Sequence, residues 1–406
     1  MGTSGELPIV NMFDPEFWID IHAPLQRASE QASFAQTLGG ELLALGHKEV
    51  EQVLRDPRML TTDLLANNGL SSGPIHEWWS QVMFSTNPPV HTRLRRLVSR
   101  AFTPKRIEDL RPVIAEIAED VLQPYCERGE IDLLHDYAHH LPIRVMSHML
   151  AIPQDEYETF AEWTADLGLV FSSIVDQDLR AQLEQSLLHL DAYVRTLIER
   201  RRKNPGDDLL SALIAAEEEG DRLNNDELVA MIANLLFAGH DTTRSFLSIA
   251  LPLLLSHPDE VAKLKANPTL ISSATEECLR FEPPVMGSAR QASEDLVIGD
   301  VEIAADQAVS VSLPAANRDP LAFPNPNQFL IDRFADTNEQ RPAVIASFGQ
   351  GVHFCLGAAL ARAEGQIGIA TALHRLPQLE ITEDLHWVPF AHIRRYERVP
   401  ARFTPK

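Results

Sequence analysis

"SFGQGVHFCLG", residues 347–357, decides how this chain is read. Glycines, a histidine and a cysteine crowd into one short loop, which runs straight into the Gly- and Ala-rich "LGAALARAEGQIGIATALHRL" (356–376). A structural zinc centre needs four ligands, and His353 with Cys355 offers two at most. A covalent c-type haem needs CxxCH, which this sequence lacks. A nucleophilic Cys–His pair stays open, and so does a plain buried cysteine. The segment after Cys355 reads as a helix, so the thiol meets the positive end of the helix dipole and free N–H groups. Both favour the thiolate. Gly349, Gly351 and Gly357 let the backbone approach something large and flat. A thiolate held against a flat body points to axial ligation of haem iron.

The totals restrict the setting. The 406 residues carry 35 basic against 58 acidic side chains, a net charge of −23. So acidic a chain argues against a nucleic-acid partner or an anionic membrane surface, and it makes any basic cluster stand out. Cys126, Cys278 and Cys355 are far apart and odd in number, which fits a reducing compartment rather than a disulfide framework. The start, "MGTSGELPIVNMFDPEFW", is not a signal peptide, and no apolar run is long enough to anchor the chain in a membrane. The expectation is a cytoplasmic protein.

Helical periodicity dominates the chain. Residues 105–126 and 180–203 read as amphipathic helices. "LLANNGLSSGPIHEWWS" (64–80) reads as a long loop with short structure of its own. Asn224 is placed to cap a helix, with Glu227 as its capping-box partner. The apolar run "LVAMIANLLFAG" then continues to about Ser256, roughly 32 residues or about 48 Å, unless Pro252 ends it early. Around 285–312 the texture alternates, as in a small sheet with a turn at Gly299–Asp300. "NRDPLAFPNPNQF" (317–329) is too rich in proline for regular structure. The fold is therefore mainly α with a minor β part, built as a single domain over 1–406.

"FGQGVHFCLG" resembles the haem-binding loop of the cytochrome P-450 monooxygenases, with Phe348, Gly349, Gly351, His353, Cys355 and Gly357 in place. Six fixed residues at about 5% each, over about 400 starts, match by chance with odds of roughly one in a hundred thousand. The resemblance covers nearly the whole chain. "FAGHDTTRS" (237–245) is similar to the family's oxygen-activation segment. "EECLRFEPP" (276–284) holds Glu277 and Arg280 like its ExxR helix, and Arg333 in "IDRF" resembles the third member of that scaffold triad. The ExxR pattern alone is weak, since it also starts at Glu108, Glu199 and Glu219.

The resemblance implies a soluble bacterial-type P-450 fold with haem b between a long central helix and the cysteine loop. Cys355 would be the metal ligand. Ala238, Gly239, Phe348, Gly349 and Gly357 would bound the haem, with Gly239 leaving room for dioxygen. His91, Arg95, Arg290 and His353 would hold the propionates. Asp241 and Thr242 would pass protons. Asn234, Phe237, Ala238, Met286 and Ser288 are candidate substrate contacts, with Trp78, Trp79 and Phe84 behind them. The implied reaction inserts one oxygen atom of O2 into an apolar small molecule of terpenoid, steroid or fatty-acyl type. Electrons would come from a ferredoxin and its NAD(P)H-dependent reductase, since the chain carries no flavin or iron–sulfur motif. Residues 91–111 hold seven Lys or Arg against Glu108 and Asp109, a local +5 suited to docking an acidic donor. A monomer is expected. A peroxide-driven peroxygenase and a non-catalytic haem sensor or electron carrier are the alternatives. Two departures from the family pattern are Arg395 in "IRRYERVP" (393–400), where glycine is common and which puts the loop around Phe390 in doubt, and "IAADQ" (303–307) in place of Pro-x-Gly.

Overall fold

The computed structural model describes residues 6–67, 69–100, 102–169, 177–218, 223–336 and 342–405. The helices that frame the site are α1 (Val90–Ser99), α2 (Pro104–Leu122), α3 (His140–Met149), α4 (Tyr157–Gly168), α5 (Gln177–Lys203), α6 (Asn225–Leu255), α7 (Ile271–Phe281) and α8 (Ala358–Arg375). Helix α6 starts as its sequence dictates. Asn224 Oδ1 accepts from Glu227 N at 2.8 Å, and Glu227 Oε2 accepts from Asn224 N at 2.8 Å. Its 31 residues span about 47 Å at 1.5 Å per residue. Pro252 falls in the last turn, so the helix still reaches Leu255. Buried residues surround most of this helix, as expected of one that crosses a core. Each fully buried Leu contributes about 1.5–3 kcal/mol, so several together outweigh the ~1 kcal/mol weakness of Gly239. Helix α8 packs on α2, α6 and α7, which fixes the cysteine loop relative to α6.

The strands are β1 (Ile9–Val10), β2 (Phe34–Thr37), β3 (Leu42–Ala44), β4 (Met59–Thr61), β5 (Glu130–Asp132), β6 (Gly287–Ala292), β7 (Leu296–Ile298), β8 (Val301–Ile303), β9 (Ala308–Ser312), β10 (Glu380–Ile381) and β11 (Pro400–Arg402). The main sheet runs β1-β2-β3-β9-β6-β4, and a smaller one runs β10-β11-β5. Strand β9 pairs parallel with β3 (Leu42 opposite Val309) and antiparallel with β6 (Gly287 opposite Ser312). Strands β7 and β8 form the hairpin read at 299–300, with Gly299 at φ 57°. In "IAADQ", Asp306 takes a positive φ, 63°. The core lies in two main parts. One surrounds α6, and the other lies under the sheet around Phe34, Val53, Ile303 and Val309.

The stretch 64–80 carries the short structure expected of it, the helices Leu64–Asn67 and Pro74–Gln81, and Trp78 and Trp79 are buried. Pro74, at a first-turn position, suits a helix start. Helix α2 stops at Leu122, because Pro124 has no N–H to continue it. The segment 317–329 lacks strands and long helices, as expected, yet its carbonyls have a job. Arg280 donates to the carbonyls of Asn317 and Pro326 at 2.9 and 2.8 Å. Arg333 donates to those of Asn325 and Gln328 at 3.1 and 2.8 Å. Both arginines also reach Glu277, at 2.7 and 3.0 Å, and the triad is buried. The other ExxR patterns do not build such a cluster: Glu108 and Arg111 make a loose surface pair at 3.6 Å, and Glu219 lies outside the described residues.

Candidate functional site

The loop before α8 folds back on itself. Cys355 N donates to the Phe348 carbonyl at 2.9 Å, and Gly349 takes a left-handed φ of 65°. Gly351, at φ 70°, serves another contact than the one read from sequence. A Cβ there would lie 2.4 Å from the Leu54 carbonyl oxygen, so this glycine lets the loop sit on helix His47–Arg55 rather than on a flat ligand. Arg55 tightens the junction by donating to Gln350 at 3.0 Å. Phe348 lies under the Arg362 guanidinium at 4.3 Å, and Glu276 holds that arginine at 2.5 Å.

Cys355 is ringed by protein, yet its side chain is open to space. Burial pushes its pKa up, against the lowering effects of the Gly357 N–H, Arg95 and Arg362. The sequence argument for a thiolate therefore reverses for the free thiol; a coordinated metal ion would strip the proton regardless.

Asn234, Ala238 and Thr242 follow one another at four-residue intervals along α6 and share a face. Ala238 is exposed in the middle of this buried helix, which marks the face that borders open space. Thr242 Oγ1 donates to the Ala238 carbonyl at 2.8 Å. Asp241 does not face water, since it is 4% exposed. It pairs with Arg244, and Arg395 Nη1 lies 3.9 Å from its Oδ2. Gly239 has a packing role. A Cβ there would lie 2.7 Å from Met146 Sδ, so its lack of a side chain lets α3 approach α6. Phe237 is buried toward the end of α4, where a Cβ on Gly168 would lie 3.4 Å from its ring.

Four nitrogen-bearing side chains converge beside the loop. The His91 and His353 rings stand 4.1 Å apart. Arg95 donates to the Phe354 carbonyl at 2.6 Å, and Arg290 to Ser288 Oγ at 2.7 Å. Both ring nitrogens of His91 are buried without a hydrogen-bond partner. Among the described residues, neither Arg95 nor Arg290 forms an ion pair with a carboxylate. Burial, then Arg95 and Arg290, push His91 down to about 4; burial, then His91, Arg290 and Arg95, push His353 to about 3. Burial lowers Arg290 to about 10. Donors gathered this way without an acid are completed by an anionic ligand, and the two carboxylates of a haem fit them.

Two substrate candidates move. Met286 belongs to the core cluster with Val10, Trp18 and Leu25, and the Ser288 hydroxyl is engaged by Arg290. Phe390, at φ 56°, packs its ring 5.7 Å from that of Trp18. The role of Arg244 and Arg395 beside Asp241 was missed. The i, i+3 spacing of Asp241 and Arg244 was the available signal; nothing local brings Arg395 there.

The family model described as Cytochrome P450 matches residues 42–384. The chain belongs to the cytochrome P450 family. It is 38% identical to Cytochrome P450 107B1 of Saccharopolyspora erythraea, over 98% of this chain and 99% of the relative. It is 34% identical to the Vitamin D(3) 25-hydroxylase of Pseudonocardia autotrophica, over 98% and 97%. Among solved structures, P450BioI in complex with an acyl carrier protein ligated to hexadec-9Z-enoic acid superposes with a TM-score of 0.89 at 32% identity, covering 96% of this chain and 100% of that one. The fold is the P450 fold. As a P450 the protein is an oxygen-incorporating oxidoreductase whose cofactor is a haem iron. Among the described residues, no helix is long and apolar enough to cross a membrane.

Proposed function

We propose that this P450 binds haem b through Cys355 and hydroxylates or epoxidises an apolar molecule of terpenoid, steroid or fatty-acyl size. The observation that carries the reading is the pairing of an open Cys355 thiol with the acid-free cluster of His91, Arg95, Arg290 and His353 beside its loop. Haem bound there supplies dioxygen activation, and donation from the thiolate favours O–O cleavage. The chain's own residues do the rest. Arg95, Arg290, His91 and His353 neutralise the propionates. Ala238, Asn234 and Thr242 present one face of α6 to the substrate side. Asp241 and Thr242 move protons inward, which is general-acid work by positioned groups.

Asn234 Oδ1 is buried without a partner, so a substrate carrying one hydroxyl or N–H would be oriented by it. A relative named as a vitamin D(3) hydroxylase and a solved neighbour in complex with a hexadecenoic-acid-ligated carrier protein support that size class. The Asp241–Thr242 pair favours dioxygen over a peroxide-driven reaction. Electrons would arrive from a ferredoxin and its NAD(P)H-dependent reductase at α1, which Arg95 ties to the cysteine loop. A monomeric, cytoplasmic enzyme of one domain, 1–406, is the proposed setting, and its free cysteines suit it.

Reduction under carbon monoxide tests the ligand: wild type is expected to show the strongly red-shifted band of a thiolate haem, and Cys355→Ala to lose it. A mutant that keeps the band refutes the assignment. Titration with steroids, terpenes and fatty acids, read by the haem spectrum, tests the substrate class. A response to small or highly charged molecules alone would refute it. Product formed with dioxygen and reductant separates an enzyme from a haem sensor.

A further inference from the structure

Ile249, Pro252 and Leu253 stand at i, i+3 and i+4 on α6, so they share a face. They begin seven residues beyond Thr242, about 10 Å further along the axis at 1.5 Å per residue. This face walls a cavity of about 480 Å³, closed on the other side by Ile381 of β10 and by Leu385. Neither Cys355 nor the His91, Arg95, Arg290 and His353 cluster lines it.

Four polar side chains also reach this cavity, and three of them are already partnered. Glu282 is held by His22 at 2.7 Å, Arg318 at 3.2 Å and Arg394 at 2.6 Å. Glu380 pairs with Arg402 at 2.5 Å, and the Ser256 hydroxyl donates to the Leu253 carbonyl at 2.8 Å. Tyr396 is the fourth. It belongs to the C-terminal hairpin, where Val388 N donates to the Arg395 carbonyl at 3.0 Å, and its ring is stacked on Trp387 at 3.9 Å. That stack fixes the ring, yet among the described residues the Tyr396 hydroxyl has no hydrogen-bond partner. Burial, then Glu282, push its pKa up, so it keeps its proton and is a donor near neutrality.

We propose that this cavity is a second small-molecule site, apart from the haem, for a neutral apolar ligand whose one hydrogen-bond acceptor meets the Tyr396 hydroxyl. The walls set this chemistry. The volume falls within the roughly 300–1,000 Å³ of small-molecule sites, which combine apolar walls with a few placed polar groups. Water is a poor occupant, because an ordered water needs two to four polar partners and these aliphatic walls add one free hydroxyl. The carboxylates of Glu282 and Glu380 repel an anion. Both already have their arginines, so neither calls for a cation.

The test uses the haem-loaded enzyme saturated with econazole, an azole whose nitrogen on the iron is followed in the haem spectrum, so that the substrate side is filled. Progesterone, a neutral steroid with carbonyl acceptors, is then added and its binding measured by equilibrium dialysis. Wild type is expected to take up one progesterone per chain while the azole spectrum stays. Leu253→Trp, which fills the cavity, should weaken progesterone at least ten-fold and leave econazole binding unchanged. Tyr396→Phe should weaken it about five-fold, as the loss of one hydrogen bond requires. Palmitate, an anion, should bind far more weakly than progesterone. No progesterone on the azole-saturated wild type, or wild-type affinity in Leu253→Trp, would overturn the site. Full affinity in Tyr396→Phe, or palmitate binding as tightly, would overturn the ligand chemistry. If Leu253→Trp fails to take up haem, Ile381→Trp fills the cavity from the opposite wall and decides.

Discussion

The Thr242 hydroxyl donates to the Ala238 carbonyl at 2.8 Å, one turn back on the exposed face of α6. That bond leaves the oxygen's lone pairs open to accept from the substrate side. A back-bond of this kind is a common local arrangement that adds nothing to helix stability. Thr242→Ala should therefore fold and bind substrate as wild type does. Product per NADPH should fall several-fold while peroxide rises, and Thr242→Ser should recover most of the coupling. Unchanged coupling in Thr242→Ala would remove the threonine from proton transfer.

Gly239 makes a packing prediction. In Gly239→Ala the new methyl meets Met146, with Sδ at 2.7 Å and Cγ at 3.0 Å. Overpacking of this kind costs roughly 1–3 kcal/mol. Thermal unfolding should show that loss, and the double variant with Met146→Ala should recover part of it, as coupling between touching residues requires. Full stability in Gly239→Ala, with dioxygen binding weakened instead, would return the residue to the role read from sequence.

Glu277, Arg280 and Arg333 predict a contrast. Removing one member of a buried, hydrogen-bonded charge cluster costs about 3–5 kcal/mol, because the remaining charges lose their partner. Glu277→Gln should lower the unfolding midpoint sharply. Glu276→Gln, which loosens the half-exposed pair with Arg362, should cost no more than about 1 kcal/mol. Equal losses in the two variants would contradict the assignment of the triad as scaffold.

The basic stretch 91–111 is smaller as a surface than as a sequence. Arg93 is held by Glu227 at 2.9 Å, Arg95 by the Phe354 carbonyl, Arg106 by Asp207 at 3.5 Å and Arg111 by Gln366 at 2.9 Å. Arg96, Arg100 and Lys105 are exposed, where an acidic donor would meet them. Exposed charges are screened beyond ~8 Å at physiological salt, so reduction should slow as salt rises. Reversing Arg96 and Arg100 to Glu should slow it at low salt and leave the substrate-induced spectrum unchanged. Wild-type rates in both variants would place donor docking elsewhere.

What could be read from the chain alone was whatever short-range chemistry controls. Asn224 and Glu227 cap their helix because the partners are three residues apart. The Gly299 turn closes its hairpin for the same local reason, and the Phe348–Gly357 motif points to a thiolate ligand by residue type and spacing. The tertiary structure decided everything that depends on what lies opposite. Gly239 and Gly351 read alike as space for a ligand, yet one makes room for Met146 and the other for the Leu54 carbonyl. Met286 read as lining a pocket, and it packs beside Trp18. Arg395 is 154 positions from Asp241, and only the C-terminal hairpin's return to α6 makes them neighbours. Helical periodicity reports which face of a helix is apolar, whereas the identity of the atoms on the far side of a contact is set by the packing of the whole chain.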